Sequence, residues 1–202
     1  MNRRLGVLIS GRGSNLQALI DAVRTGRLDA TIAVVLANRP SAQGLELARQ
    51  AALETVVLDH REWELRDTYD AALAAALQQR DVGLVCLAGF MRLIGPPMLD
   101  AFPNAILNIH PSLLPAFPGL DAQRQAVEYG VKVSGVSVHF VTDELDGGPV
   151  VLQRAVPVHD DDTDETLSVR ILEQEHLVYP AAVEQVLAGG WRVEGRRFIT
   201  TA

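Results

Sequence analysis

Short apolar runs alternate with amphipathic segments through the first half of the chain. The runs that predict strands are 5–9, 31–37, 55–58 and 82–88, and the segments that predict helices are 16–26, 44–52 and 63–79. Strands that are apolar throughout are typical of parallel sheets covered on both faces. We therefore expect an α/β fold with an open, mostly parallel twisted sheet, helices on both faces and a Rossmann-like N-terminal half.

The second half of the chain changes in character. Runs 133–141 and 150–158 suit exposed or antiparallel strands, and 146–149 supplies turn residues between them. Residues 163–187 predict one long helix, with Thr163 as its N-cap and Pro180 as a point where it would kink or break. The tail 191–199 predicts a short hairpin.

Composition narrows the class of protein. The chain has 202 residues, is 48% hydrophobic and carries a formal net charge of -7, which argues against a general nucleic-acid binder. The one cysteine, Cys86, lies in an apolar run, so we expect a buried thiol and no internal disulfide. The N-terminal apolar run is too short for a signal peptide or a membrane span. These features predict a soluble protein of the cytoplasm with no membrane partner.

A glycine-rich turn, Ser10-Gly11-Arg12-Gly13-Ser14-Asn15, separates the first strand from the first helix. Backbone N–H groups at a helix start form an anion site, and glycines let a phosphate approach closely. The spacing matches neither the full dinucleotide fingerprint nor a Walker loop. From the turn alone, a plain tight turn and a phosphate cradle are equal alternatives.

A strand that ends in Asn108-Ile109-His110 precedes a proline-rich loop. Alternation along the strand places the side chains of Asn108 and His110 on the same face. An amide and an imidazole that converge as donors suit an oxyanion formed during acyl transfer. The alternative is a hydrogen-bonded Asn and His with a structural role at a strand end.

Three acids lie within Thr142-Asp143-Glu144-Leu145-Asp146. One interpretation is an acidic surface turn. The other is that one carboxylate partners His110, orients its ring and favours its charged form. His139 lies in the preceding strand run, where we expect a structural role. The five histidines show no metal-ligand spacing, so no metal is expected.

Four segments together resemble the phosphoribosylglycinamide formyltransferase family, folate-dependent enzymes of purine synthesis. They are 8–18, 87–92, 108–115 and 137–149, in family order and at family-like spacing, and the resemblance extends from about residue 5 to about residue 187. It implies a formyltransferase-type fold in a single domain over residues 1–202. The half at about 1–100 would bind phosphate, and the half at about 101–202 would bind folate and carry the catalytic groups.

The resemblance also implies a role for individual residues. The catalytic set would be Asn108, His110 and Asp146, the substrate phosphate would lie on Gly13, Ser14 and Asn15, and the glycinamide part on Glu175. The folate would contact Arg66, Met91, Arg92, Leu93, Ile94, Asn108, Thr142, Asp143, Glu144, Leu145 and Asp146. The sequence departs from the family at Asp121 and Gln123, where many relatives carry histidine. Asp121 would then be a second acid near the site and would shift the pH optimum.

The reaction implied by the resemblance is transfer of a formyl group from 10-formyltetrahydrofolate to the amine of glycinamide ribonucleotide. The partners would be these two small molecules, with no nucleic acid, and a homodimer is left open.

Three rival functions remain. The related enzyme that formylates initiator methionyl-tRNA carries a further C-terminal domain, and the acidic balance of this chain argues against tRNA. A formyltetrahydrofolate deformylase typically carries an extra N-terminal regulatory domain. A non-catalytic folate- or nucleotide-binding module would share the scaffold.

Overall fold

The computed structural model describes residues 2–201 and divides into two compact units, the first ending at Asn108 and the second beginning at Ile109. The elements in the first unit are β1 (Arg4–Ile9), α1 (Ser14–Arg24), β2 (Thr31–Ala37), α2 (Gly44–Gln50), β3 (Thr55–Val57), α3 (Arg66–Gln78), β4 (Leu84–Leu87), α4 (Pro96–Ala101) and the start of β5 (Ile106–His110). A short 3₁₀ turn at His60–Glu62 precedes α3.

All strand pairs of the first unit are parallel, in the order β3-β2-β1-β4-β5. The central strands β1 and β4 are buried along nearly their whole length because the sheet surrounds them with apolar side chains, and Cys86 has no exposed surface. Parallel pairing aligns Leu87 with Asn108, so the carboxyl ends of β4 and β5 lie side by side. The predicted parallel sheet is confirmed.

The second unit is built around an antiparallel pair and one long helix. Its elements are the end of β5, α5 (Ala122–Tyr129), β6 (Val133–Phe140), β7 (Val150–Pro157), α6 (Asp164–Ala188), β8 (Trp191–Glu194) and β9 (Arg197–Thr200). Strands β6 and β7 pair antiparallel, β9 follows β7, and β8 and β9 form the predicted hairpin. Strand β6 is buried rather than exposed, because its apolar and small polar side chains pack on both faces.

The long helix begins as the sequence predicts. The Thr163 hydroxyl accepts a hydrogen bond from the Thr166 N–H, and the Thr166 hydroxyl accepts one from the Thr163 N–H, which is a capping box. The helix runs through the buried Pro180 without a break, so that part of the expectation was wrong. Packing of its apolar face offsets the one backbone hydrogen bond that proline removes.

Two helices differ from the prediction at their starts. Helix α3 begins at Arg66 rather than at 63, because Leu65 is extended and the 3₁₀ turn, capped by the Asp59 carboxylate, uses the preceding residues. Helix α4 was not predicted, since it opens with Pro96 and Pro97 and spans only six residues. No helix among residues 2–201 is long and apolar enough to span a membrane.

Candidate functional site

The glycine-rich turn leads into α1 as predicted. Gly13 has φ 81°, a left-handed conformation, and a side chain there would come within 2.7 Å of the Gly44 Cα atom. Glycine is therefore required on both counts. Ser14 and Asn15 follow as the first residues of α1, whose first turn carries no acidic residue. The local charge of this helix start suits an anion.

The loops that follow β1 and β4 are joined by hydrogen bonds. The Ser10 N–H donates to the Gly89 carbonyl at 3.1 Å, and the Met91 N–H donates to the Ser10 hydroxyl at 2.8 Å. Parallel strands deliver these loops to the same edge of the sheet. These hydrogen bonds hold the two loops together at that edge.

The segment Met91–Ile94 combines exposed and buried side chains. Met91 and Leu93 are 62% and 55% exposed, whereas Ile94 is buried. The Arg92 guanidinium lies 5.1 Å from the centre of the Tyr69 ring, a cation–π contact. Arg66, at the start of α3, is partly exposed. The predicted folate residues of the first unit thus present apolar and cationic groups at its surface.

His110 is buried at the end of β5 between two acceptors. Its Nε2 lies 2.8 Å from the Phe117 carbonyl oxygen, and its Nδ1 lies 3.4 Å from Asp146 Oδ2. The nitrogen facing the carbonyl carries the proton, because a carbonyl can only accept. The predicted carboxylate partner of His110 is therefore confirmed as Asp146.

A second histidine faces the same carboxylate. His139 Nε2 lies 3.5 Å from Asp146 Oδ1, while its Nδ1 lies 2.9 Å from the Phe140 carbonyl oxygen. The Gly119 N–H donates to Asp146 Oδ2 at 2.8 Å. Asp146 itself adopts φ 49°, which turns its side chain back into the second unit. No local pattern connects His139 with Asp146, although both flank the same strand-to-turn segment.

Burial and the two acceptors act in opposite directions on the pKa of His110. Burial lowers the pKa of His110 below the ordinary 6.5, although the Phe117 carbonyl and Asp146 act in the opposite direction. Burial also tends to raise the pKa of Asp146, but His139, the Gly119 N–H and His110 together bring that pKa below 3.8. Asp146 acts on the pKa of His110 in the predicted direction, and the charged state of the ring stays a prediction.

The remaining residues of the predicted turn are more exposed. Asp143, Glu144 and Leu145 are exposed and Thr142 is half-buried. Glu144 pairs with Arg196 at 2.7 Å, and its carbonyl accepts from the Gly147 N–H. These contacts shape the turn that carries Asp146.

Two further residues have clear positions in the second unit. Glu175 is buried on α6, as a substrate-binding or structural carboxylate would be. Asp121 is exposed and pairs with Arg124 at 2.5 Å, so the second-acid interpretation finds no support in its contacts. Among residues 2–201, no cluster of three His, Cys, Asp or Glu side chains has the arrangement of a metal site.

Comparison with known proteins places these features in a family. A profile described as formyl transferase matches residues 3–183. A phosphoribosylglycinamide formyltransferase of Escherichia coli is 46% identical over 94% of this chain and 87% of its own. The human trifunctional purine biosynthetic protein adenosine-3 is 45% identical over 92% of this chain, which corresponds to 18% of that longer protein.

A solved structure agrees over the full length. Glycinamide ribonucleotide transformylase 1 from Symbiobacterium toebii superposes with a TM-score of 0.97 and 55% identity, covering 100% of this chain and 95% of that one. The parallel strands of the first unit and the antiparallel strands of the second are those of the formyltransferase fold. The chain belongs to the formyl transferase family.

Proposed function

We propose that the protein transfers the formyl group of 10-formyltetrahydrofolate to the amine of N1-(5-phosphoribosyl)glycinamide, in de novo purine biosynthesis. The observation that carries this proposal is the buried His110–Asp146 pair at 3.4 Å in a chain of this family. The products are formylglycinamide ribonucleotide and tetrahydrofolate. Relatives named for the same reaction match nearly the whole chain, which supports the choice of substrates.

The reaction begins with attack by the neutral substrate amine on the formyl carbon. A new C–N bond forms, and the carbonyl π electrons move onto oxygen. The Asn108 amide and His110 are the groups we assign to that developing charge. When the carbonyl re-forms, the bond to folate N10 breaks, and N10 leaves with the electron pair and takes up a proton. The enzyme's largest contribution is to hold both molecules in attack geometry.

His110 is the carrier we assign to the proton that this sequence must move. In the free protein Nε2 carries the ring proton toward Phe117, so the ring can accept a proton there from the attacking nitrogen only as the tautomer whose proton lies on Nδ1, beside Asp146. Asp146 then stabilises the imidazolium until the proton passes to the departing N10. The Phe117 carbonyl now bonded to Nε2 must give way to substrate for this exchange.

The other assignments follow the family resemblance. Gly13, Ser14 and Asn15 would hold the phosphate at the start of α1, and Glu175 the glycinamide part. Folate would contact Arg66, Met91, Arg92, Leu93, Ile94 and Asn108, together with Thr142, Asp143, Glu144, Leu145 and Asp146. Small molecules are the only partners we propose, with no metal, and the cytoplasm is the proposed location. One domain over residues 1–202, divided near residue 100, remains a prediction.

The test follows deformylation of 10-formyltetrahydrofolate by absorbance, with and without glycinamide ribonucleotide. We expect turnover only when the ribonucleotide is present. Turnover without it would assign a deformylase, and binding without turnover would assign a non-catalytic module.

A further inference from the structure

The segment Met91–Ile94 is held at both ends by side chains of the first unit. At its start, the Ser10 hydroxyl accepts from the Met91 N–H at 2.8 Å. Just past its end, Asp70 Oδ2 accepts from the Gly95 N–H at 2.6 Å. Between these bonds the segment has no helix or strand of its own. Its course therefore depends on the side chains of Ser10 and Asp70.

Asp70 is a carboxylate on the buried face of a helix, where apolar side chains are usual. It lies on α3, and its side chain is only 1% exposed. Burial raises its pKa, opposed by the Gly95 N–H and by Arg66, whose Nε lies 3.8 Å away. A buried carboxylate costs stability unless hydrogen bonds and opposite charge compensate. Here the compensation comes from the end of the segment and from Arg66.

Gly95 allows this close approach. A side chain at Gly95 would place its Cβ 2.9 Å from Asp70 Oδ2 and 2.9 Å from Arg66 Nη2. A larger residue at position 95 would displace the ends of the Asp70 and Arg66 side chains, because the carboxylate and the guanidinium lie directly against the backbone. The side chains of α3 therefore pack directly against the backbone at the end of the segment.

The residue before Asp70 holds the segment's cationic side chain. Tyr69 is buried and stacks beneath Arg92, and the ring of Trp63 meets it edge-on at 6.1 Å between centroids. Two consecutive residues of α3 thus fix both the direction of Arg92 and the position of Gly95.

We propose that Asp70 is a positioning residue for the folate, acting through Gly95 and Arg66 rather than by contact with the reacting atoms. The inference rests on the proposed function, because it takes Met91–Ile94 as folate-binding. Asp70 holds the Gly95 backbone and Arg66 close together, next to the segment that carries the exposed side chains of Met91 and Leu93. Without it, the segment loses the hydrogen bond that fixes its end to α3, and folate must order that end on binding.

Steady-state kinetics separates this role from a structural one. We expect Asp70→Ala to raise the KM for 10-formyltetrahydrofolate about tenfold, the typical weight of a charge-assisted hydrogen bond. The KM for the ribonucleotide should stay within about twofold of that of the unaltered protein. The fold decrease in kcat should be smaller than the fold increase in the KM for 10-formyltetrahydrofolate. Asp70→Asn keeps a neutral acceptor and should recover part of the loss. Asp67→Asn on the same helix is exposed and should match the unaltered protein.

A direct titration gives a second readout. Fluorescence of Trp63, beside Tyr69, should report folate binding, and the dissociation constant should rise with KM in Asp70→Ala. An unchanged folate KM in both Asp70 variants, or an equal rise in both substrate KM values, would overturn the proposal. If Asp70→Ala does not fold, Asp70→Asn carries the test.

The two hypotheses fail in different ways. Folate turnover by the unaltered protein without ribonucleotide would remove the proposed transferase but leave the folate KM of Asp70→Ala as a valid test. Absence of any folate binding by the unaltered protein would overturn both.

Discussion

At the scale of the residue, the arrangement around Asp146 concentrates the chemistry in a small part of the second unit. One carboxylate faces two buried histidines and also accepts a backbone N–H. Such a carboxylate fixes ring orientation as well as charge, because each of its oxygens has a defined partner. His110 lies at the end of its strand, and bound substrate would replace the Phe117 carbonyl as the partner of its ring.

We expect His110→Ala to lower kcat at least a hundredfold, because it removes both a proton carrier and a donor to the developing oxyanion. Asn108→Asp should cause a similar loss, since an isosteric carboxylate places negative charge where negative charge develops. Steady-state assays with both substrates saturating measure the change in kcat. His159→Ala, at an exposed loop, is the matched control and should retain full turnover. Turnover within threefold of the unaltered protein in either catalytic variant would contradict the assignment.

Burial of histidine side chains predicts that the free energy of unfolding depends on pH. The folded-state pKa of His110, and that of His176, is lowered by burial, so the unfolded chain binds more protons between those values and 6.5. The free energy of unfolding should therefore fall as pH drops below 6.5, by at most about 1.4 kcal/mol per pH unit for each group. Asp146 adds nothing in this window, because its depressed pKa affects stability only below 3.8.

Urea unfolding between pH 7.5 and 5.5 measures this slope. His110→Gln should flatten it. A slope that His110→Gln does not reduce would show that burial does not destabilise the charged imidazolium.

Sequence reasoning reached His110 and Asp146 but missed His139 and Asp70. His110 was reached from its strand-end motif, and Asp146 was assigned among three neighbouring acids through the family resemblance. His139 and Asp70 act through burial and through partners remote in sequence, such as Gly95, 25 positions beyond Asp70. Tertiary contacts of that kind leave no local pattern.

At the scale of the element, the predicted strands were accurate because parallel burial produces continuous apolar runs. Helices failed where local signals were ambiguous. Helix α5 was not predicted, although Ala, Gln, Arg and Glu are good helix formers, because it spans only eight residues and follows Asp121 in a left-handed conformation. Helix α4 begins at two prolines and spans six residues. Helices this short depend on tertiary packing.

The N-cap of α6 offers a test at this scale. Thr163→Ala removes the acceptor of the capping box and should lower the free energy of unfolding by about 1 kcal/mol. Activity at 25 °C should be unchanged, because the cap contacts none of the assigned catalytic residues. Ser168→Ala, inside the same helix, is the control and should not destabilise. Equal stability of Thr163→Ala and the unaltered protein would show that the backbone alone sustains the helix start.

At the scale of the whole molecule, composition and motif order indicated the class of protein before any coordinates. A net charge of -7 suits small anionic substrates only if cationic and N–H groups are concentrated locally, as at Arg66, Arg92 and the start of α1. The order of four motifs was specific because together they span most of the chain. The lowered pKa of His110 could not be predicted, since it depends on how deeply the folded chain buries the ring.

The buried thiol of Cys86 is a natural probe of how often the core of the first unit opens. The residue lies in the central strand β4, with no exposed surface, between β1 and β5. A thiol reagent can reach it only when the core around it opens, so the labelling rate measures how often the first unit opens. We expect labelling to be slow in native buffer and to accelerate in urea in step with unfolding. Fast labelling of the native protein would reveal frequent local opening of the sheet, without any engineered probe.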